Sequence, residues 1–175
     1  FTIYDETARA KVEAITDETA KKEARTEALS EQWRNKAVAY SYNPGSTFKI
    51  LTAAMALEER VVSLSDSFTC SGSVRIAGWG KPIKCWKTAG HGTQTFTQAV
   101  MNSCNPAFIA ISARIGTDNF MEYAKAFGLM STTGIDLPGE EKGYFYSASD
   151  FDSVDLAVSS FGQGFTVTPL QLITA

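Results

Sequence analysis

Ser46 and Lys49 stand three positions apart in the tetrapeptide Ser46-Thr47-Phe48-Lys49. Positions i and i+3 of a helix share one face, so the Lys49 amine is expected to approach the Ser46 hydroxyl. A partly buried lysine has a lowered pKa and can act as the base that a serine nucleophile requires. The pair predicts nucleophilic acyl chemistry, although an N-cap serine beside a surface lysine has the same spacing.

A second polar triplet, Ser103-Cys104-Asn105, follows a helical pattern and precedes Pro106. A turn between two helices can project a hydroxyl and an amide into a cleft. The same side chains can instead cap the helices on either side of them. The triplet alone therefore leaves both interpretations open.

Cys70, Cys85 and His91 form the spacing Cys-x14-Cys-x5-His within a stretch rich in glycine and aromatic residues. Thiolate and imidazole ligands suit tetrahedral zinc. We expect Asp66 as the fourth ligand, with Cys104 as the alternative. The spacing is not that of a standard zinc finger, and a disulfide between Cys70 and Cys85 or free thiols are the competing interpretations.

Helical patterns must position most of these residues. The turn Asn43-Pro44-Gly45-Ser46 ends in a residue suited to an N-cap, and apolar residues recur at helical spacing from position 48 to 57. Further helical patterns span residues 95–102, 106–115, 117–127 and 155–160, and another begins near Pro169. Strand patterns are limited to residues 1–4, 73–77 and 165–168, with a small hairpin expected within residues 68–92. The predicted fold class is mainly α.

The beginning of the chain differs in composition from the rest. Residues 5–36 hold seven basic and eight acidic side chains and no glycine or proline, which predicts one long or two shorter solvated helices. The 175 residues carry 16 Lys and Arg against 19 Asp and Glu, and this balance gives no reason to expect nucleic acid or an anionic membrane surface as a partner. The longest nearly apolar stretch, residues 50–57, is far too short to be a membrane segment.

Both polar motifs, with their flanks, resemble the transpeptidase domain of class B penicillin-binding proteins, and most closely its sporulation and cell-division members. The resemblance covers residues 33–175 nearly continuously. The matching segments are Trp33-Arg34-Asn35-Lys36-Ala37-Val38, Tyr42-Asn43-Pro44-Gly45-Ser46-Thr47-Phe48-Lys49, His91-Gly92, Asn102-Ser103-Cys104-Asn105-Pro106, residues 134–140, Phe161-Gly162-Gln163-Gly164 and Thr168-Pro169-Leu170-Gln171. The resemblance implies the helical subdomain of a serine transpeptidase of the penicillin-binding-protein and β-lactamase-like fold, with little or none of the central β-sheet.

The resemblance also implies roles for the polar residues. Ser46 would be acylated by the D-Ala-D-Ala end of a peptidoglycan stem peptide, and equally by β-lactams. Lys49 would be its base, Ser103 would relay a proton to the leaving group, and Asn105 would bind the substrate amide. The implied parent protein is membrane-anchored and acts outside the cytoplasm. The resemblance further supports zinc, because some members bind zinc near the active site.

The sequence departs from the family pattern at both ends. No Lys-Thr-Gly or Lys-Ser-Gly occurs; the near match Lys87-Thr88-Ala89-Gly90 precedes Ser103, whereas the family's triad follows the Gln163-Gly164 region. Residues 1–37 are expected to replace part of the family's sheet region, and residues 38–175 to form the helical subdomain with both motifs. We therefore expect an excised or re-engineered fragment with weak or no activity, since losing an oxyanion-hole donor costs on the order of a hundredfold to a thousandfold in rate.

A different class of function is the alternative: a non-catalytic, zinc-stabilised structural module. A subdomain without its sheet would leave an apolar face uncovered, and we expect self-association through that face. Trp33, Trp79 and Trp86 are interpreted as packing residues, because large aromatic side chains dominate core burial.

Overall fold

The computed structural model describes residues 1–175 as eight α-helices, one 3-10 turn and two small sheets. The helices are α1 (Glu6–Glu13), α2 (Glu18–Trp33), α3 (Lys49–Glu58), α4 (Phe96–Met101), α5 (Asn105–Ile115), α6 (Thr117–Ala126), α7 (Ser153–Ser159) and α8 (Pro169–Thr174). The strands are β1 (Ser67–Cys70), β2 (Ser73–Val74), β3 (Ile83–Lys84) and β4 (Gly92–Thr95), and they pair antiparallel as β1 with β4 and β2 with β3. The predicted mainly helical class with little sheet is confirmed. None of the helices is both long and apolar enough to cross a membrane.

Local sequence explains where several helices begin. The side chains of Thr95, Asp152 and Thr168 cap α4, α7 and α8, and the side chain of the third residue of each helix accepts a hydrogen bond from the backbone N–H of the capping residue. Such reciprocal capping satisfies amide groups that a short helix leaves without partners. Asp5 and Asp17 cap α1 and α2 with one side-chain bond each. The charged segment thus forms two helices, and no residue of α2 is buried.

The core is built from aromatic rings around α5, which packs against α3, α6, α7 and β1. Phe48, Phe108, Phe120 and Phe165 are completely buried. The ring centroid of Phe48 lies 4.8 Å from that of Phe165 and 6.1 Å from that of Phe120. Because α5 begins at Asn105 and α3 begins at Lys49, this packing fixes two of the candidate catalytic positions relative to each other.

The strand predictions hold only in part. The hairpin expected within residues 68–92 is present as the nested β2–β3 and β1–β4 pairs, but β2 includes only two of the residues 73–77. Residues 165–168 form only isolated bridges, Val167 with Tyr42 and Thr166 with Tyr144. Each bridge pairs a different segment, so no continuous ladder can grow from this stretch.

Residues 1–4 form no strand, contrary to the prediction, because side chains of α2 take their backbone groups. The amide of Tyr4 donates to Gln32 Oε1 at 2.7 Å, and the guanidinium of Arg25 donates to the carbonyl of Phe1 at 2.8 Å. The segment therefore lies along α2 as an extended arm.

The three tryptophans lie outside the core, contrary to their interpretation as packing residues. Trp33, Trp79 and Trp86 are each at least half exposed. Phenylalanine fills the interior in their place. Its ring has no polar group, whereas a buried indole N–H needs a hydrogen-bond partner.

Candidate functional site

Ser46 lies in the 3-10 turn Gly45–Phe48, which runs directly into α3. The segment before it is fixed by exchanged backbone hydrogen bonds between Tyr42 and Val167, each 3.0 Å long. The serine thus stands at the start of a helix, as predicted, and it is an exposed residue.

A close backbone approach holds the turn from the other side. The amide of Gly45 donates to the carbonyl of Gly162 at 2.9 Å. Gly162 has φ +78°, and a β-carbon there would collide with the backbone of Gly45. The Phe161-Gly162-Gln163-Gly164 stretch is therefore a positioning loop for the serine turn, and it needs glycine at this point.

The buried amine of Lys49 joins all four predicted catalytic residues. Lys49 is 4% exposed. Its Nζ lies 3.3 Å from Ser46 Oγ, 2.9 Å from Ser103 Oγ, 2.8 Å from the Ser103 carbonyl oxygen and 2.7 Å from Asn105 Oδ1. The structure thus brings together residues that are up to 59 positions apart in the sequence.

The hydrogen-bond acceptors around Lys49 bear on whether its amine is charged or neutral. An ammonium group has three N–H donors and no lone pair, whereas a neutral amine has two donors and one lone pair. The carbonyl oxygens of Ser103 and Asn105 can only accept, so a neutral Lys49 donates to these and keeps its lone pair for a hydroxyl. Burial lowers the pKa of Lys49 to about 8, against a smaller opposing effect of Cys104 and Cys85. The amine is therefore suited to remove a proton from Ser46.

Ser103 has a backbone conformation that side chains rarely adopt, with φ +46°. This left-handed geometry directs both its carbonyl and its hydroxyl towards Lys49. Strained backbone of this kind persists only where the surroundings fix it, and it is concentrated at functional sites. The turn before α5 is thus shaped around the lysine rather than around a helix cap.

A second cluster lies on the other side of the same turn. The metal-binding atoms of Cys70, Cys85, His91 and Cys104 all lie within 4.8 Å of one another, and the three thiols are free. Cys70 ends β1, Cys85 follows β3, His91 precedes β4 and Cys104 directly precedes α5. Four elements that are separate in the sequence therefore meet at this point, and the disulfide alternative is not what the structure contains.

The donor set fits zinc. In a tetrahedral site with bonds of about 2.3 Å to sulfur, ligand atoms stand roughly 3.8 Å apart, and Cys85 Sγ lies 3.7 Å from His91 Nδ1. His91 Nε2 is buried and has no hydrogen-bond partner. Although burial opposes its thiolate, hydrogen bonds from Gly72 and His91 lower the pKa of Cys70, whereas burial raises the pKa of Cys104. The cluster could therefore hold a metal ion.

Asp66 is not part of this cluster, and this corrects its assignment as the fourth ligand. Its carboxylate accepts hydrogen bonds from Ser63 at 2.6 Å and from Arg114 at 2.5 Å. These two partners hold the pKa of Asp66 below its usual range. Arg114 belongs to α5 and also lies over the Phe68 ring, so the Asp66 carboxylate is directed towards α5. The fourth residue of the cluster is Cys104 instead.

The shared turn is the feature that sequence reasoning did not use. Cys104 stands between Ser103 and Asn105, so one turn contributes to both clusters. Its central position in the triplet is the signal that could have favoured Cys104 over Asp66.

This chain belongs to the penicillin-binding protein transpeptidase family, because the family model for the penicillin binding protein transpeptidase domain matches residues 1–175. It is 44% identical over 143 residues to stage V sporulation protein D of Bacillus subtilis strain 168, covering 81% of this chain and 22% of that protein. It is 31% identical over 150 residues to the peptidoglycan D,D-transpeptidase MrdA of Acinetobacter baumannii, with the same two shares. The resemblance drawn from the motifs is confirmed, and the chain spans about a fifth of the length of these relatives.

Solved structures show the same fold. The apo transpeptidase domain of Burkholderia pseudomallei penicillin-binding protein 3 aligns with a TM-score of 0.72 at 24% identity, covering 79% of this chain and 41% of that one. PBP2 of Pseudomonas aeruginosa aligns with a TM-score of 0.76 at 22% identity, covering 90% of this chain and 36% of that one. The helical arrangement around the serine turn is thus shared with these domains.

Proposed function

We propose that Ser46 is the nucleophile of a D,D-transpeptidase that cross-links peptidoglycan through an acyl-enzyme. The supporting observation is the buried Lys49 amine, which lies within 3.3 Å of Ser46, Ser103 and Asn105 oxygen atoms. Activation of a serine by an adjacent base is the general requirement for this chemistry. The substrates we propose are the peptidoglycan stem peptide and β-lactams, met on the outer face of the cell membrane.

The proposed acylation moves protons between Ser46, Lys49 and Ser103. Neutral Lys49 takes the proton from Ser46 Oγ as that oxygen attacks the carbonyl carbon of the penultimate D-Ala. Ser103 Oγ, 2.9 Å from Lys49 Nζ, gives its proton to the amine of the departing terminal D-Ala as the peptide bond breaks, and it takes the proton held by Lys49 in its place. An amine of a second stem peptide then takes the acyl group, and its proton returns to Ser46 Oγ. A β-lactam reacts in the same way, but its ring amine stays attached.

Intact-protein mass spectrometry after incubation with benzylpenicillin tests the proposal. We expect a mass gain of one penicillin in the wild type and none in Ser46→Ala. Thr47→Ala is the matched control, because it removes the neighbouring hydroxyl, which bonds to the Pro44 carbonyl at 2.7 Å. An adduct on Ser46→Ala, or no adduct on the wild type after long incubation, would contradict the proposal.

The cluster of Cys70, Cys85, His91 and Cys104 supports a second candidate function, a zinc-stabilised structural module. When bound, Zn²⁺ would hold deprotonated thiols and supply folding free energy. The four residues would tie both small sheets to the start of α5. Such a structural role does not depend on whether the same chain is catalytic.

Metal content and thermal stability test this candidate. We expect native mass spectrometry to show one zinc per chain, and a chelator to remove it and lower the melting temperature. Cys104→Ser should lose the metal, whereas Asp66→Asn should retain it. A metal-free wild type prepared with zinc in the buffer would show that the thiols are merely buried, and zinc loss in Asp66→Asn would restore the aspartate as a ligand.

We further propose that the chain self-associates through apolar residues of α3 and α4. These helices pack against each other, and Ile50, Leu57, Val100 and Met101 on them are exposed. Contiguous exposed apolar surface favours association. A second copy of this chain is the proposed occupant of this surface.

A further inference from the structure

We infer that Trp86 is a specificity-determining residue that forms an aromatic platform for the substrate's acyl side chain; this inference rests on the proposed function. Trp86 is 67% exposed. An indole combines an apolar ring with one polar N–H group, so a surface tryptophan can be held by that group while its ring stays open to a ligand. Its polar group is already satisfied, because Nε1 donates to the Asn102 carbonyl at 2.8 Å.

The indole is held in place from two sides. Besides the bond to Asn102, its ring meets the His91 ring edge-on, with centroids 5.4 Å apart at an angle of 67°. A side chain fixed in this way loses little entropy when a ligand packs on it. Most of its surface nevertheless remains open to solvent.

The position of Trp86 relative to Asn105 indicates which part of the substrate it meets. Asn105 Oδ1 accepts from Lys49, and its Nδ2 donates to the Lys84 carbonyl at 3.2 Å. The segment from Lys84 to Trp86 thus lies along the turn that precedes α5. Asn105 is proposed to bind the amide that joins the acyl side chain to the reacting centre, and the inference places the group beyond that amide on the indole.

This geometry indicates a substrate class. A flat aromatic or extended aliphatic group on the acyl side of the amide gains contact with the platform. A ligand that lacks such a group gains nothing. The structure therefore assigns a preference for acyl donors with apolar bulk next to the amide.

A purely structural role is the competing explanation. Trp86 follows Cys85 and touches His91, so the indole also covers one side of the metal-binding cluster. A covering role predicts that removing the ring alters metal retention. A platform role predicts that removal alters ligand preference and leaves the metal in place.

The experiment compares acylation of Trp86→Ala by benzylpenicillin and by 6-aminopenicillanic acid, which lacks the acyl side chain. We expect the second-order rate constant for benzylpenicillin to fall about tenfold, the size of one lost aromatic contact, and that for 6-aminopenicillanic acid to stay unchanged. Trp79→Ala is the matched control, because Trp79 is 50% exposed in the same segment and makes no side-chain hydrogen bond. Equal losses for both ligands, an unchanged rate for benzylpenicillin, or a loss of bound zinc in Trp86→Ala would overturn the inference.

A binding measurement keeps the inference separate from catalysis. In Ser46→Ala with Trp33→Phe and Trp79→Phe, Trp86 is the only indole, and its fluorescence reports directly on a bound N-acyl-D-Ala-D-Ala peptide. We expect saturable quenching, with at least fivefold weaker binding of D-Ala-D-Ala lacking the acyl group. If the wild type is never acylated but this quenching occurs, the proposed catalysis fails and the platform stands. Absence of quenching overturns the platform whatever the acylation result.

Discussion

Lys49 is the residue on which the proposed chemistry depends, because its environment sets how often its amine is neutral. With a pKa of about 8, about a tenth of the amines are neutral at pH 7, against roughly one in 3,000 for an ordinary lysine. The neutral form is the one that can accept the Ser46 proton. Burial thus supplies the base that the serine requires.

The acylation rate should follow this titration. The neutral fraction increases with pH, so the rate constant for penicillin should rise almost tenfold from pH 6 to 7 and level off above about pH 8. Stopped incubations analysed by mass spectrometry would measure it. Lys49→Arg is the control, since a guanidinium keeps its proton throughout this range. A flat profile in the wild type would show that Lys49 is not the base.

At the scale of single residues, sequence reasoning proposed a catalytic set but could not give its geometry. The i, i+3 spacing placed Ser46 beside Lys49, because helical geometry is local. The contact of Lys49 with Ser103 and Asn105 depends on how α3 packs against α5, which no local pattern encodes. Their roles could be assigned only through the family resemblance, and they remain predictions.

At the scale of elements, the serine turn depends on a loop distant in the sequence. Gly162 approaches Gly45 so closely that a β-carbon would collide with its backbone. Gly134 has the same φ of +78°, but a β-carbon there would meet no atom within 4 Å. Comparing the two glycines therefore separates the effect of a left-handed backbone from the effect of a close backbone contact.

Replacing each glycine by alanine should show the difference. Gly134→Ala should lower the free energy of unfolding by only about 1–2 kcal/mol, the penalty of a left-handed alanine. Gly162→Ala should destabilise the chain by more than this and abolish penicillin acylation, because the Ser46 turn must move. Denaturant unfolding and the mass assay would measure both effects. Equal stability of the two variants would show that the loop yields without displacing the turn.

The helices themselves were largely predictable, because their caps and apolar spacing are local signals. Thr95, Asp152 and Thr168 begin helices near the predicted positions. The strand pattern at residues 165–168 was less informative, since only Thr166 and Val167 pair, each with one residue that is distant in the sequence. The choice between Asp66 and Cys104 likewise depended on Arg114, whose approach to Asp66 is set by the packing of α5 on β1.

At the scale of the whole molecule, the exposed apolar residues of α3 and α4 form the surface proposed for association. Ile50 is 69% exposed and Met101 is 79% exposed. The assignment of residues 1–37 as a replacement for part of the family's sheet stays a prediction, although the family model matches these residues too.

Light scattering coupled to size exclusion would test self-association. We expect the mass of the wild type to rise with concentration, and Ile50→Glu combined with Met101→Glu to be monomeric. Ile173→Glu on α8 is a matched control with a similarly exposed side chain, and it should associate like the wild type. A monomeric wild type at high concentration would rule out this use of the surface.

The hydrogen bond between Gly45 and Gly162 also has a consequence for biosynthesis. The ribosome adds Gly162 116 residues after Ser46, which takes roughly 6 to 23 s at translation rates of about 5–20 residues per second. During that interval the serine lacks the loop that fixes its turn, so the growing polypeptide should not react with penicillin. Covalent labelling by a fluorescent penicillin should therefore be confined to chains that extend past Gly162.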